Sequence, residues 1–145
     1  MIDLTVQVLK YYFYGGHTMG LFKSLVKGAM NVAGGVVKNI NSFENVKDRA
    51  PNQIGVYIMS LNGKVKYVGR AIEDRPGQST KGLRKRLQEH WRGAANCKPE
   101  LFQYRNQITV SLKVCQTVAQ AKALEARLIR QYDTVQNGWN LRYED

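Results

Sequence analysis

From Pro51 onward, apolar and polar residues fall into short periodic blocks. Ile54 to Ser60 and Lys64 to Gly69 are rich in β-branched and aromatic residues and predict two strands, joined through Asn62-Gly63, a strong hairpin dipeptide. Gln107 to Cys115 sets Ile108, Val110, Leu112 and Val114 against Thr109, Ser111 and Lys113, the alternation of a third strand with one buried face. Lys81 to Arg92 predicts a helix capped by Thr80 or Ser79, with Leu83, Leu87 and Trp91 along its apolar edge. After a loop around Lys98-Pro99, Thr117-Val118-Ala119-Gln120 matches a capping box. It opens a helix to about Tyr132, with Val118, Ala121, Leu124, Leu128 and Tyr132 as its buried stripe.

Residues 1–50 have a different texture. Leu21, Phe22, Leu25, Val26, Ala29, Val32, Ala33, Val36 and Val37 recur at helical spacing, with Lys23, Lys27 and Lys38 elsewhere on the wheel. Gly28, Gly34 and Gly35 weaken that helix. Three readings stay open for it: a helix packed on the following domain, a membrane-surface or protein-partner segment over residues 20–40, or a linker from something larger. Met19-Gly20-Leu21-Phe22-Lys23-Ser24 fits an acylation motif only if translation begins at Met19. The chain thus divides into residues 1–50, partly helical and of unassigned role, and a domain over residues 51–145.

The hairpin loop length decides whether Tyr57 and Tyr67 can act together. A two-residue Asn62-Gly63 loop pairs Tyr57 with Val68 and puts the two tyrosines on opposite faces, because side chains alternate along a strand. A three-residue loop, Leu61-Asn62-Gly63, pairs Ser60 with Lys64 and sets Tyr57 across from Tyr67. The odd-length loop is the expectation.

Composition is that of an ordinary globular chain: 145 residues, 43% of them apolar, enough for one real core. Charge is less ordinary. The net charge is +11, and residues 51–145 carry 16 basic against 8 acidic side chains, so a polyanion is the natural partner of that segment. Cys97 and Cys115 form no Cys-x-x-Cys and have no histidine at zinc spacing, so neither a disulfide scaffold nor a structural zinc is indicated, and buried thiols in a reducing compartment are the expectation. No apolar run approaches the ~18 residues of a membrane span, and residues 1–18 lack the pattern of a signal peptide. The chain reads as soluble and cytoplasmic, with delivery to another cell left open.

Several residues stand out as chemistry. Glu125 lies on the apolar side of its helix among Ala121, Leu124, Leu128 and Ile129, where a carboxylate is costly unless a cation or donor meets it; a salt bridge to an arginine and a metal site both answer that need. Arg86 and His90, four apart, share one helix face. Taken singly, Tyr57 and Tyr67 are core aromatics as readily as catalytic phenols, Arg86 a surface partner of Glu89 or Glu73, and His90 a polar surface residue.

Taken in order, Gly55-Val56-Tyr57, Tyr67-Val68-Gly69, Arg86-Leu87-Gln88-Glu89-His90, Glu125 and Trp139-Asn140 resemble the GIY-YIG nuclease family across residues 54–140. The resemblance implies an α+β fold, a small three-stranded antiparallel sheet flanked by helices, with the N-terminal segment outside it. It implies a metal-dependent endonuclease with one Mg²⁺ (or Mn²⁺) held by Glu125, polarising the phosphate and stabilising the leaving 3′ oxygen. By the same resemblance Tyr57 is the general base or water-positioning phenol, and Tyr67 helps hold the nucleophile and scissile phosphate. Arg86 offsets developing charge, and His90 hydrogen-bonds the phosphate or shares the base role. Gly69 allows close backbone approach, and Asn140 ties the active-site elements together. A phenol of ordinary pKa ~10 needs cationic help to act as a base near neutrality, and Arg70, Arg86 and the metal are its candidates.

Two departures from the family pattern matter. Arg70 stands where repair-type relatives often carry lysine, which keeps the positive charge. Seventeen positions separate Gly69 from Arg86, more than in many members, and make Arg84 an alternative to Arg86. The extra residues 71–80 are rich in turn formers and charge and are expected to face substrate. The resulting expectation is a nuclease acting on nucleic acid, DNA in preference to RNA. A non-catalytic binding module of the same fold and a toxin or effector fragment of a larger system are the alternatives. Strandedness, sequence preference and oligomeric state have no signature in the sequence.

Overall fold

The computed structural model describes residues 41–144, so the amphipathic stretch over residues 21–40 and its candidate roles lie outside the described residues. In chain order the elements are helix α1 (Phe43–Arg49), strands β1 (Gly55–Leu61) and β2 (Lys64–Ala71), helices α2 (Gly82–Arg92) and α3 (Pro99–Gln103), strand β3 (Ile108–Val114) and helix α4 (Val118–Tyr132). The three strands form one antiparallel sheet in the order β2-β1-β3. This is the α+β architecture expected.

Apolar side chains alternate through the sheet to feed two cores. On one face Tyr57, Met59 and Val110 pack with Leu83 and Leu87 of α2 and with Phe43 and Val46 of α1. On the other, Val56, Ile58 and Val68 pack with Ala121, Leu128 and Ile129 of α4. Helix α1 therefore belongs to the folded unit, which begins at Ser42 rather than at residue 51. Its start has a local cause, the Ser42 hydroxyl accepting from the Asn45 N–H at 3.3 Å. Val114, expected inward, is 39% exposed at the end of β3.

The hairpin corrects the loop expectation. Asn62 and Gly63 both take positive φ, 53° and 78°, making a two-residue turn that pairs Leu61 with Lys64. The register then shifts by one between Met59 and Ser60, so that Ser60 faces Val65 while Met59 faces Tyr67 and Tyr57 faces Gly69. The odd residue sits in a bulge around Lys66 rather than in the loop, and it restores the parity that the short turn removes. Tyr57 and Tyr67 end on the same face, as diagonal neighbours and not directly opposed.

The bulge is held from far along the chain. The Lys66 carbonyl accepts from the Trp139 N–H at 2.6 Å, and Lys66 Nζ donates to the Asn137 carbonyl at 3.2 Å. Asn140 completes this clasp as a surrogate strand, its Oδ1 accepting from the Val68 N–H and its Nδ2 donating to the Val68 carbonyl, each at 2.9 Å. Trp139 stacks on Tyr104, with ring centroids 5.7 Å apart and 6° between planes.

Helix α2 also departs from expectation at its start. Neither Thr80 nor Ser79 caps it; the N-cap is Lys81, with no side-chain bond. Its first N–H groups are met instead by backbone carbonyls: Gly82 donates to Glu73, Leu83 to Gln53 and Arg84 to Pro51. Helix α3, where a loop was expected, begins with Pro99, whose fixed φ and missing N–H suit a first turn. Helix α4 follows the expected pattern: Thr117 accepts from the Gln120 N–H at 3.1 Å, and Gln120 reaches back to the Gln116 N–H.

Candidate active site

A cleft of about 370 Å³ opens beside strand β2, lined by Tyr57, Tyr67, Arg70, Ala71, Ile72, Glu73, Gly82, Lys85, Arg86, Glu89, Glu125 and Glu144. Strand β1 supplies Tyr57, strand β2 supplies Tyr67 and Arg70, helix α2 supplies Arg86 and helix α4 supplies Glu125. Four of the five expected catalytic side chains thus meet in one cavity. The fifth, His90, lies behind it.

Tyr57 is 1% exposed, and its ring lies over the backbone of Gly69. A Cβ at Gly69 would overlap the Tyr57 ring and hydroxyl oxygen, so glycine here makes room for the phenol. The Tyr57 hydroxyl meets His90 Nε2 at 2.6 Å. Tyr67 completes an aromatic cluster, its ring centroid 6.1 Å from both Tyr57 and His90.

His90 is fully buried, so two expectations are corrected: it is neither a polar surface residue nor a group that touches phosphate directly. Among the described residues it meets two cleft-lining side chains, Tyr57 through a hydrogen bond and Tyr67 through a ring contact. Burial, with Arg86 adding to it, pushes its pKa down to about 3, so the imidazole is neutral under ordinary conditions. Its Nδ1 is buried without a partner. The roles in the 2.6 Å contact follow the imidazole tautomer: with the proton on Nε2, His90 donates to the Tyr57 oxygen and Nδ1 is left an unpartnered acceptor, a less costly state than an unpartnered donor.

That hydrogen bond bears on the base role. Burial first, and the neighbouring Tyr67 second, push the Tyr57 phenol well above its ordinary pKa, while Arg86 acts in the opposite sense. Burial raises Tyr67 too, again opposed by Arg86. Tyr57 is therefore a neutral phenol at rest. The His90 N–H and the Arg86 charge are the groups that favour its anion.

Arg86 lines the cleft, while Arg84, the register alternative, turns away and donates through Nε to the Ala50 carbonyl at 2.7 Å. The Arg86 guanidinium is anchored by Glu89 Oε2 at 3.0 Å and the Asn96 carbonyl at 3.2 Å. Burial works to lower its pKa, but Tyr57 and Glu89 hold it charged and the net shift is upward.

Glu125 is 6% exposed, and Arg70 Nη1 donates to its Oε1 at 2.7 Å. The arginine partner anticipated as one answer to its burial is thus present. Burial raises the Glu125 pKa, Arg70 opposes it, and Glu144 adds to the rise. Among the described residues no group of three or more His, Cys, Asp or Glu side chains is gathered to hold a metal. A cation on Glu125 would draw its other ligands from water and substrate, which suits Mg²⁺. Glu73 and Ile72 bring the long connection after β2 to the cleft wall. No motif in the sequence singles out Lys85 or Glu144, and Glu73 is marked only as part of the segment 71–80 expected to face substrate; Lys85 is one more member of a basic helix face, and the fold brings it to the cleft.

A three-stranded antiparallel sheet carrying two tyrosines, with an arginine and a buried glutamate brought in from flanking helices, defines a phosphodiesterase-like site. The sequence matches the GIY-YIG catalytic domain over residues 53–140, and the chain belongs to that family and is an enzyme of the nuclease class. Among solved structures it resembles the GIY-YIG N-terminal endonuclease domain of UvrC from Thermotoga maritima. A tyrosine-to-phenylalanine form bound to its catalytic divalent cation aligns with TM-score 0.53 and 25% identity, covering 69% of this chain and 96% of that one. The magnesium-bound domain aligns with TM-score 0.50 and 25% identity over 63% and 90% of the two chains. No curated protein matches the sequence.

Proposed function

We propose that the chain is a divalent-metal-dependent endonuclease that hydrolyses phosphodiester bonds in DNA within the β2 cleft. The observation that carries this reading is the convergence of Tyr57, Tyr67, Arg86 and Glu125 on one cavity wall in a chain of net charge +11. One solved form of the UvrC endonuclease domain binds magnesium as its catalytic divalent cation, and Glu125 would hold the same ion here. That cation supplies Lewis-acid stabilisation to the phosphate and to the leaving 3′ oxygen.

The protein's own groups do the rest. His90 fixes the Tyr57 oxygen at the cleft wall through the 2.6 Å hydrogen bond. The fraction of Tyr57 that has given up its phenolic proton to solvent, its anion favoured by the His90 N–H and the Arg86 charge, orients the attacking water and takes its proton. Tyr67, beside it, holds the water and the scissile phosphate. The Arg86 fork faces the charge that grows on the phosphate oxygens. Arg70 holds one oxygen of Glu125 and would share that carboxylate with a bound cation, its guanidinium standing ready for a phosphate oxygen. Asn140 acts at one remove, clasping Val68 between Tyr67 and Gly69. The two free cysteines, both half-buried, fit the proposed reducing intracellular setting.

Incubation of supercoiled plasmid and of a structured RNA with Mg²⁺, Mn²⁺ or EDTA tests the assignment. The expected result is nicking of the plasmid with either metal, none in EDTA, and loss of nicking in Glu125→Ala. Binding without cleavage in any metal would favour the non-catalytic module, and cleavage of RNA alone would overturn the choice of DNA.

A further inference from the structure

The cleft holds a cation that the catalytic reading leaves unused. Lys85 lines the cavity, and its Nζ is paired with Glu73, from the long connection after β2, and with Glu89 at 3.7 Å along its own helix. Glu89 is shared: its Oε1 faces Lys85 while its Oε2 faces Arg86 at 3.0 Å. A carboxylate held with one oxygen on each of two cations occupies the kind of position that the two non-bridging oxygens of a phosphodiester take. Lys85 and Arg86 are neighbours in sequence and so point about 100° apart on the helix. Their side chains leave the helix in different directions but meet on Glu89, so their charges hold adjacent positions in the cleft.

We propose that Lys85 is a substrate-binding residue, forming a second phosphate subsite next to Arg86, and that Glu73 is the counter-charge restraining it until the nucleic-acid backbone takes its place. The proposal rests on the nuclease reading of the same cleft. It also accounts for the long connection over residues 71–80, which carries to the cleft wall the carboxylate that a bound phosphate displaces. The Lys85 side chain is 26% exposed and that of Glu73 34%, so solvent and substrate reach both.

The test is binding of a short DNA duplex in EDTA, followed by fluorescence anisotropy over a range of salt, for wild type, Lys85→Ala, Glu73→Gln and the double variant. Lys85→Ala is expected to weaken binding about tenfold and to lower the slope of log K against log salt by about 0.9, one phosphate contact. Glu73→Gln is expected to tighten binding, and this gain is expected to vanish when Lys85 is also absent. Both single variants weakening binding in parallel would show that the pair only anchors the loop to α2 and would overturn the proposal. So would strictly additive effects, or an unchanged slope in Lys85→Ala. Failure of the wild type to bind DNA at all would overturn the choice of DNA on which the subsite rests, and the subsite with it.

Discussion

The chemistry of a single buried pair, Tyr57 and His90, sets how this site responds to pH. His90 is held neutral, with its pKa near 3 in the folded chain against about 6.5 when unfolded. Between those values the unfolded chain binds the extra proton. Stability from this residue is therefore fully present above pH 6.5, falls as pH is lowered, and is gone below about pH 3. The slope approaches one proton, about 1.4 kcal/mol per pH unit. Metal-free denaturation from pH 4 to pH 7 should show the stability gap between wild type and His90→Gln narrowing steadily as pH falls. Parallel curves would place the imidazole in water and contradict its assignment as a neutral donor to Tyr57. Residue identity is legible here from the ordered motif, whereas burial is not: His90 lies beside the Leu83-Leu87-Trp91 edge, and only the packing of α2 against β1 decides that it faces inward.

Among the elements, the edge strand β2 depends most on distant sequence. Its partner β1 and its turn are local matters, readable from alternation and from Asn62-Gly63. The bulge at Lys66 is not, because its carbonyl is claimed by Trp139, and the odd-length loop expected in its place is the nearest local solution to the same parity problem. The start of α2 escapes the sequence pattern for a similar reason, since carbonyls of residues 51, 53 and 73 stand in for a cap. Ser42 ahead of Phe43-Glu44-Asn45 is a local signal for α1 that a boundary at residue 50 passes over. Asn140→Ala removes two hydrogen bonds to Val68 and leaves a strand edge unclasped, so urea unfolding should show a loss of about 1–3 kcal/mol. Cleavage should fall further than stability alone explains, since Tyr67 and Gly69 flank the released residue. A variant with unchanged stability and activity would show that the clasp is dispensable.

At the scale of the whole molecule, a chain of net charge +11 carries a cleft whose cations are already paired: Arg70 with Glu125, Arg86 with Glu89 and Lys85 with Glu73. Net charge draws a polyanion to the protein, while these internal pairs keep the site ordered before substrate arrives. The central claim is that Tyr57 activates the water. Its most direct test is the single-turnover rate of plasmid nicking at saturating Mg²⁺, from pH 6 to pH 9, for wild type and Tyr57→Phe at matched DNA occupancy. The wild-type rate should climb about tenfold per pH unit without a histidine-like plateau, because the phenol titrates above its ordinary range. Tyr57→Phe should lose a factor of about 10² to 10⁴ with DNA affinity unchanged. A Tyr57→Phe enzyme within a few-fold of wild type across that range would contradict the account.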